Sequence, residues 1–534
     1  MRAAPISRLR SVMRDAISST AVLVLTCGWV SAQTGPELAV ATYFGGKHFD
    51  RAQGVAIDSE GFIYFIMNTE STGLPTRSPN PKGPFQRRKA GPRVGEIRAR
   101  YHVSDAYVGK LSPDGRRLIW GTYLGGRHSD RGYALKVDAE GYVYCSIWTS
   151  SADFPTTAGA FDRTYNGKPG QGDGKRSMDL ALVKLQPDGS GLVWSTYLGG
   201  GRTEQARNAF DIDAAGNVYV AGLTNSPDFP VTPGAPQRKL ASAEDDAFVC
   251  KLAADGSRLI FSTFLGGVGR ESAVSGVRVH RDGTVFVAGM TRSPDFPVTA
   301  KALQRAYGGD GGQYKWMGDA FVTRLSADGK TLLYSTYLGG SGADAVAGND
   351  GLAVTASGEA VVIVDTTSRD MPLVNGSPCF QARHRGGGKW PTDGYVARLS
   401  ADGSTLRAAT YFGGTGTEEM SGIDLDEAGN VHFSGNTHST DFPLSANAIQ
   451  ARHGGKADAF YAVLSADLTR LKFGTLLGGP GVDRGRELVF HRDGFVVISG
   501  DTQGQLKATQ GAFQPRWAGS NDALLLRFDL HGLR

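Results

Sequence analysis

The sequence predicts an all-β fold, and three observations carry that prediction. A five-residue block, first seen as Thr42-Tyr43-Phe44-Gly45-Gly46, returns at Thr122, Thr196, Thr263, Thr336, Thr410 and Thr475, at intervals of 80, 74, 67, 73, 74 and 65 residues. Between the blocks, short runs rich in Val, Ile, Phe and Tyr alternate with Gly-containing turns, the pattern of antiparallel hairpins. Beyond the first thirty residues, no stretch sustains the 3.6-residue period of an amphipathic helix. A recurring period this long marks a repeat whose unit holds several elements.

The third copy shows the unit most cleanly. Phe210 to Asp213 reads as a short strand and Ala214-Ala215-Gly216 as a turn. Asn217 to Thr224 alternates as a second strand, after which Asp228-Phe229-Pro230 opens an irregular stretch. Asp246 to Leu252 is a third strand, and Arg258 to Leu265 a fourth. Four antiparallel strands in each of seven units could build an open array or a closed ring. The chain ends choose between them: the last unit stops after a third strand, Ala523 to Phe528, and its missing fourth is present as Leu38 to Phe44. Ring closure removes the exposed edges that an array would leave. The expected architecture is therefore a single seven-bladed β-propeller over residues 33–534, closed by the N-terminal strand joining the last blade.

Residues 1–32 read as a secretory signal peptide. Arg2, Arg8, Arg10 and Arg14 form a basic leader, Ala21 to Val30 a short apolar core, and Val30-Ser31-Ala32 a cleavage site. The expected location is thus secreted or extracytoplasmic, in the periplasm or at the cell surface. No later run approaches the ~20 apolar residues of a membrane helix. Removing the leader leaves 53 basic and 51 acidic residues, so the pI near 8.9 does not argue for a nucleic-acid partner. Cys145, Cys250 and Cys379 are too few and too odd in number for a disulfide framework and read as small residues filling small sites.

Thr336-Tyr337-Leu338-Gly339-Gly340, the run Gly216 to Gly222, Asp228-Phe229-Pro230 and Asp246-Ala247-Phe248-Val249 recur together in fixed order. In this the chain resembles the bacterial SBBP repeat proteins, which the name associates with seven-bladed propellers. The resemblance covers essentially the whole chain after the leader. It implies an extracellular or cell-surface bacterial protein, and no shared enzymatic activity. The first, fifth and seventh copies depart from Asp-Phe-Pro, with Leu74-Pro75, Asp370-Met371-Pro372 and Gln503 to Lys507 in its place.

Seven occurrences at one place make the glycine pairs scaffold, with positive φ at a sharp turn as the expected reason. Four residues past each pair stands an acid: Asp50, Asp130, Glu204, Glu271, Asp344, Glu418 and Asp483. Arg51, Arg131 and Arg484 follow three of them directly, so ion pairs or backbone hydrogen bonds are expected to satisfy the acids, and this structural role is favoured over a calcium site. An Asp at the third strand of every copy reads as a cap, because a catalyst breaks symmetry. As metal candidates, Asp50 and Asp130 with His48 and His128 are weak, and no cofactor is expected.

Symmetry breaks between the second and third strands. The first copy carries a basic stretch there, and others carry aromatics: Tyr165, then Tyr307, Tyr314 and Trp316, then Trp390, with Trp517 in the last. Lys315 and Lys389 precede two of the tryptophans. Aromatics beside cations suit sugar rings, and loops on a rigid scaffold are where binding usually resides. The long connections are expected to share a face with the acidic ring, and the expected function is an exported, non-catalytic recognition propeller binding a surface glycan or an envelope protein through that face, as a monomer. A polysaccharide-active enzyme using the acidic ring, and a purely structural envelope module, are the alternatives.

Overall fold

The computed structural model describes residues 35–91, 104–167, 177–310, 312, 317–387 and 390–533; the leader 1–32 lies outside them. Seven antiparallel sheets follow one another around a ring. In blade 1 the strands, from the channel outward, are Asp50–Ile57, Ile63–Thr69, Asp105–Leu111 and Leu118–Leu124. In blade 7 they are Asp483–His491, Phe495–Thr502, Asp522–Asp529 and, as the outermost, Glu37–Phe44. The N-terminal strand runs antiparallel to Asp522–Asp529, with Thr42 opposite Leu525 and Phe44 opposite Ala523, so the closure expected from the chain ends is realised.

Alternation along the strands drives the packing. Inward-facing Val, Ile, Leu and aromatic side chains of adjacent blades interlock, as where Tyr64, Ile66 and Trp120 of blade 1 meet Leu135, Cys145 and Ile147 of blade 2. Cys145 and Cys250 are buried and Cys379 half-buried, all three as thiols. Burial pushes the Cys250 thiol up to about 12, so it behaves as a small apolar residue.

The two tight turns of a blade account for most of the positive-φ glycines, for example Gly216 at +80° and Gly256 at +71°. Blade 6 places Leu468 at +57° in the same turn, where its side chain is buried. The glycine pairs are different. None has positive φ; they are required by space. A Cβ on Gly199 would lie 2.7 Å from both Asp179 Cγ and Glu204 Oε2, and one on Gly200 would lie 2.6 Å from Ser226 Cβ. Gly199→Ala should therefore destabilise the protein by about 1–3 kcal/mol, the usual cost of overpacking. Urea denaturation measures this; an unchanged midpoint would show that the seam can open.

The long connections between second and third strands also differ from expectation. They leave from the face that carries the acids, but then descend along the outer strand of their own blade. Arg77 pairs with Gly121, and Thr157 and Thr232 donate to the Ser195 and Ser262 carbonyls. They reach the far end of the next blade, where Phe85 and Phe161 donate to Gly189 and Gly256. Backbone groups of the edge strands are thereby covered. The Asp-Phe-Pro element anchors this path: Phe154, Phe229, Phe296 and Phe442 are buried, as are Leu74, Met371 and Leu506 where the motif departs. The departures keep an apolar plug, which is what the site requires.

Two innermost strands are broken. Blade 3 has Glu204–Gln205 and Phe210–Ile212, and blade 5 has Asp344–Val346 and Leu352–Val354. The interruptions fill the channel. From blade 3, Asn208 Nδ2 reaches the Gln53 carbonyl at 3.1 Å and Glu487 Oε2 at 3.2 Å, and Lys136 of blade 2 meets Glu487 Oε1 at 3.3 Å. From blade 5, Asp350 pairs with Arg278 of blade 4. Blades 1, 2, 3 and 7 are thus tied across the axis, and the channel mouth has a floor.

Candidate functional site

The seven acids after the glycine pairs are fully buried and point into the seams, away from the channel. Asp50 accepts from the Gly46 N–H at 2.7 Å, the Thr69 hydroxyl at 2.5 Å and the Ser71 hydroxyl at 2.8 Å. Asp130 repeats this with Gly126, Thr149 and Ser151, and Glu418 with Gly414, Thr437 and Ser439. Of the two means expected, the backbone hydrogen bonds are present, while Arg51 and Arg484 turn from the acids before them to Asp501, at 3.5 and 3.3 Å. His48 is exposed and His128 half-buried, each held by its backbone N–H to a serine hydroxyl, Ser71 at 3.2 Å and Ser151 at 2.8 Å. Among the described residues no three His, Cys, Asp or Glu side chains stand together as metal ligands.

Symmetry breaks one residue further along. The side chains after the acids face the channel mouth, because successive residues of a strand alternate between faces. In blade order they are Arg51, Arg131, Gln205, Ser272, Ala345, Glu419 and Arg484. Across the hairpins, Arg51 stands opposite Asn68, Arg131 opposite Trp148, Ala345 opposite Asp365, Glu419 opposite Asn436 and Arg484 opposite Asp501. The constant acid is scaffold, and of the variable positions beside it Gln205, Ser272, Ala345, Glu419 and Arg484 line a cavity of about 700 Å³.

Blades 3 to 7 build that cavity. Arg207, Arg270, Arg484 and Arg486 line it together with Asp365 and Glu419, and Met290, Met317 and Trp390 supply apolar surface. A smaller hollow continues towards blade 2 past Arg131 and Trp148, sharing Gln205 and Arg270. Asp365 accepts the Met420 N–H at 2.6 Å; burial, and then Glu419 and Glu418, hold its carboxyl well above the usual range. Asn436 Nδ2 donates to Glu419 at 3.3 Å. A hollow of similar size between blades 5 and 6 is electrically closed, since Glu359 faces Arg398 at 4.0 Å and Arg407 at 3.7 Å.

Residues 193–230 match the family model described as a β-propeller repeat, SBBP. The chain contains an SBBP repeat. No curated protein matches the sequence. Among solved structures, a protein of unknown function from Dyadobacter fermentans is similar at 12% identity, with 93% of this chain and 99% of that one covered and a TM-score of 0.43. A PL25 ulvan lyase bound to a glucuronate–rhamnose sulfate unit is similar at 9% identity, covering 86% and 92%, with a TM-score of 0.43. A quinohemoprotein alcohol dehydrogenase from Pseudomonas putida is similar at 10% identity, covering 93% and 76%, with a TM-score of 0.38. Likenesses this distant carry no functional argument.

The SBBP repeat straddles a seam. It runs from the outer strand of blade 2 through the inner strands of blade 3 to Pro230, so it contains the glycine pair, the acid Glu204 and the variable Gln205. Most of the aromatics singled out from sequence lie elsewhere. Tyr165 is buried, donates to the Ser177 carbonyl at 2.5 Å and packs edge-on against Tyr197, so it holds its own loop and offers no platform. Tyr307 is half-buried beside Tyr337, and Trp517 packs half-buried on the blade 7 core. Tyr314, Lys315, Trp316 and Lys389 lie outside the described residues. Among the described candidates Trp390, 45% exposed, lines the cavity at the channel mouth. Its carbonyl accepts from Thr417 Oγ1 at 2.5 Å and from the Thr392 N–H at 2.8 Å, which fixes its backbone.

Proposed function

We propose that the protein is an exported, non-catalytic recognition propeller that holds a surface glycan in the basin at the channel mouth. One observation carries this reading: five of the seven equivalent positions that follow the acids, each with a different side chain, converge on one cavity with an exposed indole in its wall. Rigid concave sites with a few placed polar groups are the usual form of a ligand site, and an indole offers a flat apolar surface to a sugar ring. The test is Trp390→Ala. A solvent-facing side chain can be removed at a cost within about 0.5 kcal/mol, so the variant should keep its melting temperature. It should lose at least tenfold in affinity for whichever glycan an array identifies with the native protein. Early unfolding would make the tryptophan loop packing, and undiminished binding would place the site elsewhere.

A hydrolytic reading draws on Asp365 and Glu419, two carboxyl groups on one wall of the same cavity. Glycosidases work with such a pair. The constant acids offer this reading nothing, since they are buried in the seams. Incubating the array-positive glycan with the native protein and with Asp365→Asn, then sizing the products, separates binder from enzyme.

A further inference from the structure

The charge along one side of the basin is not balanced, where Arg484 and Arg486 line it and Arg51 and Asp501 stand next to them. Arg51, Arg484 and Arg486 converge on the single buried carboxylate of Asp501, at 3.5, 3.3 and 2.6 Å. Three guanidinium groups around one carboxylate leave two positive charges in excess in a corner partly closed to water. The strain of this arrangement shows in Arg51, whose guanidinium is pushed down to about 10 by burial first and by Arg486 next, against the pull of Asp501. Its Nε is buried and has no hydrogen-bond acceptor among the described residues. The same three arginines hold the Asp501 carboxyl below the usual range despite its burial. Arg207 enters the cavity from blade 3, donates to the Gly348 carbonyl at 3.4 Å, and has no carboxylate within ion-pair distance among the described residues. Arg270, by contrast, is neutralised by Asp245 at 2.7 Å.

Bringing an anion into such a corner relieves repulsion between charges already paid for by the fold, and guanidinium groups suit planar carboxylate and sulfate oxygens. We infer that the basin takes an acidic saccharide, whose carboxylate or sulfate oxygens lie in the arginine corner while a ring lies towards Trp390. This rests on the glycan reading above. The size of the cavity, about 700 Å³, suits a short stretch of sugar. A nucleic acid would need cations spaced along a track to meet successive phosphates, whereas Arg51, Arg484 and Arg486 gather round one carboxylate.

The test uses matched polymers: polygalacturonate against its carboxyl-reduced galactan, and dextran sulfate against dextran, measured by calorimetry with the full chain. The acidic member of at least one pair should bind at least thirtyfold more tightly than its neutral partner, and which pair responds tells carboxylate from sulfate. Raising the salt from 0.05 to 0.5 M should weaken that binding at least tenfold, since exposed charges are screened. Arg207→Ala, at an exposed position, should cost tenfold or more with the melting temperature kept. Arg484→Gln should do the same, and Arg407→Ala, on the outer strand of blade 5, should change nothing. Equal binding of neutral and acidic partners would overturn the inference and leave the glycan reading standing. If every polymer fails to bind, both fall. Stronger binding of single-stranded DNA than of either acidic polymer would also overturn it.

Discussion

Deleting residues 33–46 should abolish the soluble monomer. The deletion removes the outer strand Glu37–Phe44, and with it the buried side chains of Val40, Ala41, Tyr43 and Phe44. Phe44 alone packs against Phe65, at 4.7 Å between ring centroids, and stacks on Phe513 at 5.5 Å. Losing one large buried aromatic costs about 3–5 kcal/mol, and two are lost here from a total stability of about 5–15 kcal/mol. The last long connection also loses its anchor, since Ala41 exchanges hydrogen bonds with Thr509, and Gln514 accepts from Tyr43 and Gly45. What remains exposes the edge of Asp522–Asp529, which invites pairing between molecules. Size-exclusion chromatography should find aggregate. A synthetic peptide of residues 35–46 added during refolding should restore monomer by strand addition. A truncated monomer with an unchanged melting temperature would show that the ring does not depend on this strand.

This closure was legible in the sequence because it rests on counting: seven blocks, and a last unit lacking the strand present at the start. The four strands of each blade were legible for a related reason. Alternating β-branched and aromatic residues between Gly turns fix both the period and the face, and in blade 3 the observed strands Val218–Thr224, Asp246–Leu252 and Leu259–Leu265 fall where the pattern puts them. Other features depend on distances that a sequence does not display. The glycine pairs serve close approach and not positive φ, which becomes visible only once Asp179 and Glu204 are seen on either side of Gly199. The breaks at Ala206–Ala209 and Ala347–Gly351 could not be told from continuous strands, since what they supply, Asn208 and Asp350, meets partners on other blades. The site itself was half visible. Arg51, Arg131 and Arg484 stood out but were matched to their chain neighbours, because the register that sets Arg484 opposite Asp501 is a property of the hairpin. A comparison of the seven residues after the acids, position by position, would have shown the asymmetry.

Stability should fall as the pH rises from about 4 to 8, the reverse of the usual behaviour of buried ion-paired carboxylates. At each seam the third-strand aspartate of one blade faces the first-strand acid of the next across a glycine. A Cβ on Gly125 would touch both Asp130 and Asp105, and one on Gly413 both Glu418 and Asp393. Their hydrogen bonds come largely from hydroxyls and backbone N–H groups, and Oδ1 of Asp179, Asp246 and Asp393 has no donor among the described residues. Burial foremost pushes Asp130, Glu204, Glu271 and Asp319 up to about 8 and Glu418 up to about 7, with the facing carboxyl adding to the effect, and pushes Asp179 up to about 7, with Asp162 and Asp228 adding to it. Such groups hold protons in the folded chain that the unfolded chain has released, so their contribution is full below the unfolded value near 4 and is lost as the pH climbs through the folded value. His384, lowered by burial, acts in the opposite sense and is one group against several. The carboxylates held low, Asp426 and Asp501 among them, act mainly below pH 4. A net uptake of even one proton on folding gives a loss of about 1.4 kcal/mol per pH unit. Urea denaturation at pH 5, 6, 7 and 8 should therefore show a midpoint falling throughout. Asp179→Asn places an N–H where Oδ1 now lacks a donor beside Glu204, so it should flatten the slope and raise stability at pH 8. A midpoint constant or rising from pH 5 to 8 would mean that the seam acids are ionised in the folded protein.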